Sequence, residues 1–386
     1  MTTSPNEKAL LPAGLNDVLP PNATHEAEVV AGLMAVFASQ GYERVEPPLL
    51  EFETTLTANG TAGLSDQVFR VMDPVSQRMM GLRADITLQV ARIAGTRLGK
   101  TERPLRLSYS GHVLRVRGTP LRPTRQFVQA GVELIGNATP GADIEAASLA
   151  ASALTEVGVR ELTLDLTSPA IVGAVLETED IADNAVARLR AALDRKDVGE
   201  VHTLARNIHG LDSDVLASLI SAAGPAENAL GALTALKLPP TACDAIEQLR
   251  HVVSGITETL PNLTMTVDAV EYRGFEYQTG VSFTLFAQGA RGELGRGGRY
   301  ATGHGEAATG FTLFLDSIMS ALSAPTATPR LFLPLGTPPA EAEGLRKKGW
   351  IALMGLEPAE DPSADAQRLG CSHILIDGAV KALQKA

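Results

Sequence analysis

The stretch of residues 114–136, LRVRGTPLRPTRQFVQAGVELIG, constrains the fold of this 386-residue chain more than any other part of the sequence. It predicts a hairpin of two short strands around a polar turn that contains prolines. Side chains of a strand point alternately to its two faces. One face of the second strand is therefore wholly apolar, with Val128, Ala130, Val132 and Leu134. We expect this face to lie against the hydrophobic core.

The opposite face of the second strand is polar and contains a gap. Gln129 and Glu133 flank Gly131, which has no side chain. A gap between two hydrogen-bonding groups suits a small ligand. Arg115 and Arg117 of the first strand would add positive charge beside Glu133. The alternative is an ordinary hairpin with one solvated face and a glycine bulge.

Composition excludes several classes of function. The chain is 45% apolar and 20% charged, as expected of a folded globular protein, and its net charge of -11 argues against a nucleic-acid platform. Cys243 and Cys371 lie far apart without metal-ligand spacing, so we expect no disulfide, no metal and no cofactor. Since no apolar run has the length of a membrane span, we expect a cytoplasmic protein that does not bind membranes.

A second candidate site residue is Asp85, in the segment RADIT at residues 83–87. This segment leads into a predicted helix whose apolar positions include Ile86, Val90 and Ile93. A helix cap would by itself account for an acid at this position. Alternatively, the carboxylate of Asp85 points at the ammonium group of a ligand. The local pattern leaves both interpretations open.

The segments around these motifs predict an α+β architecture. Residues 22–40 have the period of an amphipathic helix. Residues 42–52 are extended and contain two prolines, which belong at a sheet edge or against another subunit because they cannot donate to a strand ladder. Residues 264–287 alternate as one long hairpin. A final helix is expected to open at residues 309–311.

Changes in composition and periodicity along the chain predict the domain boundaries. We expect a core over residues 1–323, which contains a helical insertion at about 169–260, then a linker over 324–329 and a small α/β domain over 330–386. In the small domain we expect three strands to alternate with helical segments. These helical segments are residues 339–348, 361–368 and 379–385.

The motifs, taken in order, resemble the core of a class II aminoacyl-tRNA synthetase of the histidyl-tRNA synthetase lineage. The family's first motif, which builds the dimer interface, is similar to GYERVEPPLLEF, and its second motif to SGHVLRVRGTPLRPTRQFVQAGVELIG. Its acid-bearing amino-acid loop is similar to LRADIT, its two histidine-recognition segments to VEYRGFEYQTG and GRGGRY, and its third motif to GFTLFLDSI. The resemblance implies a class II synthetase-like antiparallel sheet flanked by helices.

By this resemblance, seven residues would bind histidine: Asp85, Thr87, Arg115, Gln129, Glu133, Arg273 and Tyr277. The two acids, the threonine and the glutamine would hold the α-amino and imidazole groups. The two arginines would face the carboxylate, and the tyrosine would pack against the ring. Opposite charges at the two ends of a zwitterion give orientation as well as affinity.

The nucleotide-binding residues depart from the synthetase pattern. Arg115 is retained in the second motif, but Arg117 occupies the position of a glutamate that helps hold ATP, and Ser317 occupies that of the arginine in the third motif. A serine lacks the fixed charge and paired donors that a guanidinium offers to phosphate. We therefore expect that the chain has no catalytic residues and that its amino-acid activation is strongly impaired.

A synthetase-like chain that retains the amino-acid pocket and loses the nucleotide site resembles the regulatory subunits of ATP phosphoribosyltransferase. The resemblance implies a protein that catalyses nothing itself. Its partners would be the short-form ATP phosphoribosyltransferase catalytic subunit, a second copy of itself through the first motif, and histidine as an inhibitory effector in histidine biosynthesis. Two alternatives remain: a divergent synthetase or other adenylating ligase, and a synthetase-like scaffold without a ligand.

Overall fold

The computed structural model describes residues 11–57, 62–119, 122–177, 182–208, 210–271, 278–325 and 328–383. The chain forms two compact units, one ending at Ser323 and the other beginning at Ala324. Within the described ranges, no helix combines the length and the apolar character that crossing a bilayer requires.

The secondary structure alternates strands and helices throughout both units. The strands are β1 (Glu43–Arg44), β2 (Leu50–Phe52), β3 (Phe69–Met72), β4 (Met79–Leu82), β5 (Leu105–Leu114), β6 (Gln126–Ile135), β7 (Leu162–Thr167), β8 (Gly224–Pro225), β9 (Thr264–Val267), β10 (Gln278–Ala287), β11 (Gly295–Ala301), β12 (Ala307–Phe314), β13 (Arg330–Leu333), β14 (Ile351–Met354), β15 (His373–Ile376) and β16 (Ala379–Ala382). The helices are α1 (Asn22–Ser39), α2 (Glu53–Leu56), α3 (Ala62–Ser65), α4 (Thr87–Thr96), α5 (Pro140–Glu156), α6 (Pro169–Leu176), α7 (Asp183–Asp194), α8 (Val198–Ala205), α9 (Ser213–Ser221), α10 (Ala226–Thr234), α11 (Pro240–Thr259), α12 (Leu315–Ala321), α13 (Pro339–Lys347) and α14 (Pro362–Arg368).

The larger unit is built on a nine-stranded sheet of described strands, in the order β1-β5-β6-β12-β11-β10-β7-β9-β8. Its centre, from β5 to β7, is antiparallel, whereas β1 pairs with β5 and β9 pairs with β7 in parallel. A separate three-stranded sheet has the order β2-β4-β3. The α+β, class II synthetase-like architecture is thus confirmed, with helices flanking the large sheet.

Strand β6 is an inner strand of the large sheet and is buried on both faces. Its apolar face, which includes Val132 and Leu134, packs in one hydrophobic cluster with Leu33 and Phe37 of α1. Its other face adjoins a second cluster, to which Phe127 belongs. The alternative of a hairpin with one solvated face is therefore wrong.

The first strand of the central hairpin differs from the prediction. β5 ends at Leu114, where the predicted strand began, and the connection to β6 runs from residue 115 to 125. Gly118 and Pro123 lie in this connection; a proline donates no backbone N–H to a ladder. Arg115 and Arg117 consequently lie beyond the strand, and Arg117 is exposed.

Other expectations about local structure were wrong because the pairing partner was not visible in the sequence. β9 and β10 do not form a hairpin, since β7 lies between them in the sheet. Residues 309–311 belong to β12, and the final helix of the unit starts at Leu315. β16, predicted as helix, pairs with β15. Tertiary pairing overrides local preference in each case.

The remaining segments follow the predicted periodicity. Between β7 and β9 the chain is mainly helical, from α6 to α11, and β8 adds an edge to the large sheet beside β9. The smaller unit has a four-stranded sheet in the order β14-β13-β15-β16. Two small apolar clusters pack in this unit, one around Leu333 and one around Phe332.

Candidate functional site

The centre of the candidate site is the carboxyl group of Glu133, on β6. Its residue is only 1% exposed. The hydroxyl of Tyr300 donates to Oε2 of Glu133 at 2.9 Å, and Thr87 and Tyr109 also hydrogen bond with this carboxyl group. Burial raises the pKa of Glu133 to about 8, against the lowering effect of these hydrogen bonds, and the nearby Asp85 charge raises it further.

Asp85 and Gln129 form the second polar pair of the site. The side-chain amide of Gln129 donates to Oδ2 of Asp85 at 3.0 Å, and its Oε1 accepts the backbone N–H of Ile86 at 3.2 Å. Oδ1 of Asp85 accepts the backbone N–H of Thr87 at 2.9 Å, at the start of α4. Asp85 therefore supports the helix terminus and also lines the site, so the two interpretations of this acid are compatible.

The predicted gap over Gly131 is filled by Tyr109 of β5. A Cβ atom at Gly131 would lie 2.2 Å from the carbonyl oxygen of Phe311 and 2.5 Å from the hydroxyl of Tyr109. This hydroxyl lies 2.7 Å from Oγ1 of Thr312 and 3.2 Å from Oγ1 of Thr87. The glycine thus makes room for a protein side chain, and the expectation that its gap holds a ligand is wrong.

A second glycine makes room for the central carboxyl group. Gly310 of β12 pairs in register with Glu133 of β6. A Cβ atom at Gly310 would lie 2.1 Å from Oε2 of Glu133. The large sheet therefore places a buried acid where the neighbouring strand has no side chain.

A cavity opens beside these groups. Its lining includes Asp85, Thr87, Glu133, Gln278, Arg296, Tyr300, Thr312 and Phe314. The space between its walls is about 370 Å³ when the part open to solvent is included, but the centre of a water molecule can occupy only about 20 Å³ of it. The cavity is thus a narrow slot, and an amino acid can enter it only if lining side chains move apart.

Arg115 is not among the residues that line this cavity, but it lies near Asp85. Its guanidinium group is 5.0 Å from the ring centre of Phe127 and 6.0 Å from that of Phe314, which lines the cavity. Burial lowers the pKa of Arg115 to about 10, although the charge of Asp85 opposes this. The predicted juxtaposition of Arg115 and Arg117 with Glu133 is therefore corrected: Arg115 faces Asp85, and Arg117 is outside the site.

Asp85, Thr87, Gln129 and Glu133 are brought together as expected from the sequence, with Arg115 at the periphery. Arg273 and Tyr277 lie outside the described residues. Sequence reasoning missed Tyr300, Thr312 and Gln278 as lining residues. Tyr300 ends the segment GRGGRY, so the resemblance of this segment to a histidine-recognition segment is the signal that could have identified it.

Comparisons with known proteins show the family to which the chain belongs. A family model described as histidyl-tRNA synthetase matches residues 14–318. The ATP phosphoribosyltransferase regulatory subunit of Paramagnetospirillum magneticum is 55% identical over 97% of this chain and 98% of that protein, and that of Rhodospirillum centenum is 52% identical over 97% of both. The chain belongs to the family of ATP phosphoribosyltransferase regulatory subunits.

A solved structure extends the comparison with this regulatory-subunit family. A crystal structure described as an ATP phosphoribosyltransferase regulatory subunit/histidyl-tRNA synthetase from Bacillus halodurans C is 25% identical to this chain. It covers 95% of this chain and 97% of its own length with a TM-score of 0.82. The similarity thus extends over both compact units of this family member.

In this member of the regulatory-subunit family, Arg122 of the β5–β6 connection packs against the third-motif region. Arg122 is 9% exposed, its guanidinium group lies 3.9 Å from the ring centre of Phe314, and it pairs with Asp316 at 3.1 Å. Ser317 is buried, and its hydroxyl has no hydrogen-bond partner among the described residues. A neutral hydroxyl at this position offers a phosphate no charge. The described residues also contain no cluster of side chains able to hold a metal ion.

The stability of this family member should depend on pH through Glu133. Its pKa is about 8 in the folded chain against an ordinary 4.5, so between these values the folded state holds one more proton than the unfolded state. The contribution of Glu133 to the free energy of unfolding therefore falls as pH rises through this range, by at most about 1.4 kcal/mol per pH unit. We expect Glu133→Gln to remove this slope and to be more stable than the native chain above that range. Urea unfolding of both proteins as a function of pH measures the effect, and parallel curves would contradict it.

Proposed function

We propose that this chain is a non-catalytic regulatory subunit that assembles with a separate, short-form ATP phosphoribosyltransferase catalytic subunit, activates it, and inhibits it when histidine occupies the Glu133 cavity. The observation that carries this proposal is the contrast between two neighbouring sites. The acids Asp85 and Glu133 are buried and ordered by hydrogen bonds, whereas Ser317 stands where a synthetase has its nucleotide-binding arginine. The membership of the family supports the same role.

The charges of the cavity suit histidine. Asp85 and Glu133 offer carboxylates to an ammonium group and to an imidazole N–H. Arg115 and Arg296 lie near Phe314, with guanidinium groups 6.0 and 5.7 Å from its ring centre, and Arg115 is also close to Asp85. A zwitterionic amino acid would therefore bind with its carboxylate toward the arginines and its cationic or N–H-donating group toward Glu133.

Inhibition of this kind is a coupling free energy between two sites. Allosteric couplings are commonly about 1–3 kcal/mol, and they are reciprocal for binding. Assembly in the active form should therefore lower the affinity for histidine by some factor. Histidine should lower the stability of that form of the complex by the same factor. The narrowness of the cavity supports such a role, because binding requires a change of conformation.

The proposal is tested by mixing this chain with the short catalytic subunit of the same organism. Formation of phosphoribosyl-ATP should depend on this chain or increase when it is added. It should fall when histidine is added. Absence of both effects would refute the proposal. Histidine-dependent pyrophosphate exchange by this chain alone would instead favour a divergent synthetase or other adenylating ligase. Activation without any histidine binding would favour a scaffold.

We also infer that the chain self-associates through its first motif. The three-stranded sheet β2-β4-β3, to which the first motif contributes β2, leaves Leu50 at 38% and Val71 at 48% exposed on one face and Met72 at 51% exposed on the other. Exposed apolar surface on a small sheet is typical of an interaction site.

Val71→Asp should shift the chain from dimer toward monomer and raise the dimer dissociation constant about tenfold or more, since a charge would enter an apolar contact. Light scattering over a dilution series measures this shift. Leu356→Asp is the matched control, because Leu356 is 90% exposed in the smaller unit. A native chain that is monomeric at all concentrations, or an equal effect of both substitutions, would contradict the inferred interface.

A further inference from the structure

Helix α4 connects the Glu133 cavity to the first-motif segment, defined here as residues 43–52. At its N-terminal end, the hydroxyl of Thr87 contacts Tyr109 at 3.2 Å and hydrogen bonds with Glu133. Two and five residues further along the same helix, Gln89 and Arg92 contact the first-motif segment. The helix therefore has one polar attachment in the cavity and another outside it.

The outer attachment is made by Glu51 of β2. Although its neighbours Leu49 and Leu50 are 44% and 38% exposed, Glu51 is only 8% exposed. Oε2 of Glu51 accepts from Nε of Arg92 at 3.0 Å, and Oε1 accepts from the amide of Gln89 at 2.8 Å and from a second nitrogen of Arg92. This paired, buried carboxylate thus holds the helix against the first-motif segment.

Two further contacts tie the same elements together. The amide of Gln89 also donates to the carbonyl oxygen of Pro48 at 2.8 Å. Arg83, two residues before Asp85, is 6% exposed and donates to the carbonyl oxygens of Pro47 at 2.8 Å and His112 at 2.7 Å. The carbonyl oxygens of both prolines of the first motif therefore accept hydrogen bonds from residues that lie two positions from Asp85 or Thr87 in the chain.

These attachments leave little freedom for the two ends to move independently. A helix of this length is stiff, so its two ends move together. Separating Glu51 from Arg92 would leave a buried charge without its partner, which is costly. A displacement of the first-motif segment should therefore move α4, and with it Asp85 and Thr87.

We propose that Glu51 is a positioning residue of the histidine cavity: through Gln89 and Arg92 it holds α4 in the register that presents Asp85 and Thr87, and it thereby couples histidine binding to the state of the first-motif segment. This inference rests on the proposed function, since it requires that histidine bind in the Glu133 cavity. Coupling of this kind is reciprocal, so an event at the first-motif segment changes histidine affinity by the same factor.

Hydrogen–deuterium exchange of the full chain, with and without saturating histidine, tests the coupling. In the native chain, histidine should slow exchange in β6 and also in residues 43–52. Glu51→Gln should weaken histidine binding about tenfold and abolish the slowing in residues 43–52, while β6 is still protected at saturation. Arg92→Lys retains the charge but not the paired donors, so it should change histidine binding and exchange in the same direction. It replaces Glu51→Gln in the test if that variant does not fold.

Glu53→Gln is the matched control, because Glu53 pairs with Arg70 at 2.6 Å and is part-exposed. It should alter neither histidine affinity nor the exchange response. If the native chain binds histidine and residues 43–52 do not respond, or if both Glu51→Gln and Arg92→Lys respond as the native chain does, the coupling is refuted and the proposed function stands. If the native chain binds no histidine, the proposed function fails and this inference fails with it.

Discussion

Glu133→Gln should remove measurable histidine binding while the chain remains folded. The glutamine is nearly isosteric and can accept the hydroxyl of Tyr300, but it cannot carry the negative charge that a cationic or N–H-donating ligand group requires. Loss of one partner from a buried charged pair commonly costs about 2–5 kcal/mol, so affinity should fall at least about 30-fold. Calorimetric titration with histidine measures the loss.

The same titration should show proton release. The pKa of Glu133 is about 8 in the empty cavity, so at neutral pH most molecules hold a proton there. A cationic ligand group favours the ionised carboxylate, and binding should therefore expel this proton. Titrations in buffers of different ionisation enthalpy report the number of protons released.

Glu145→Gln is the control for the binding experiment. Glu145 lies outside the cavity lining and pairs with Arg106 at 2.7 Å and with the hydroxyl of Tyr42 at 2.8 Å. This variant should bind histidine as the native chain does. A Glu133→Gln variant with nearly native affinity would show that the ligand does not use this carboxyl group, and the assignment of the cavity would fail.

Gly131→Ala should destabilise the chain and disrupt the cavity at the same time. The added methyl group would approach the carbonyl oxygen of Phe311 to 2.2 Å and the hydroxyl of Tyr109 to 2.5 Å. One of these atoms belongs to the paired backbone of β12, so either the strands separate or Tyr109 leaves its hydrogen bonds. Overpacking of this kind typically costs about 1–3 kcal/mol. Urea unfolding measures the stability, and calorimetry the accompanying loss of histidine affinity.

Gly141→Ala is the matched control for this substitution. Gly141 lies in the first turn of α5, and a Cβ atom there would have Thr139 Oγ1 as its nearest neighbour, at 3.6 Å. Alanine also has a higher helix propensity than glycine, so the variant should be as stable as the native chain or slightly more stable. Equal stability of Gly131→Ala and the native chain would show that β6 and β12 can separate without cost.

The arrangement of the cavity could be predicted only in part. The resemblance identified Asp85, Thr87, Gln129 and Glu133, which the structure brings together. The position of Arg115 could not be predicted, because it depends on where β5 stops pairing with β6. Nor could Tyr109 be foreseen beneath Gly131, since a missing side chain in the sequence does not indicate which atoms occupy the space.

Local periodicity determined which faces the regular strands and helices bury, as with Val132 and Leu134 of β6 and with Leu33 and Phe37 of α1. Tertiary structure alone decided which strands are neighbours: β7 separates β9 from β10, and β15 draws β16 out of its predicted helix. The physical reason is that alternation is a property of one segment, whereas pairing depends on backbone hydrogen bonds and packing between segments distant in the chain. The close approaches that shape the cavity are contacts of the same long-range kind.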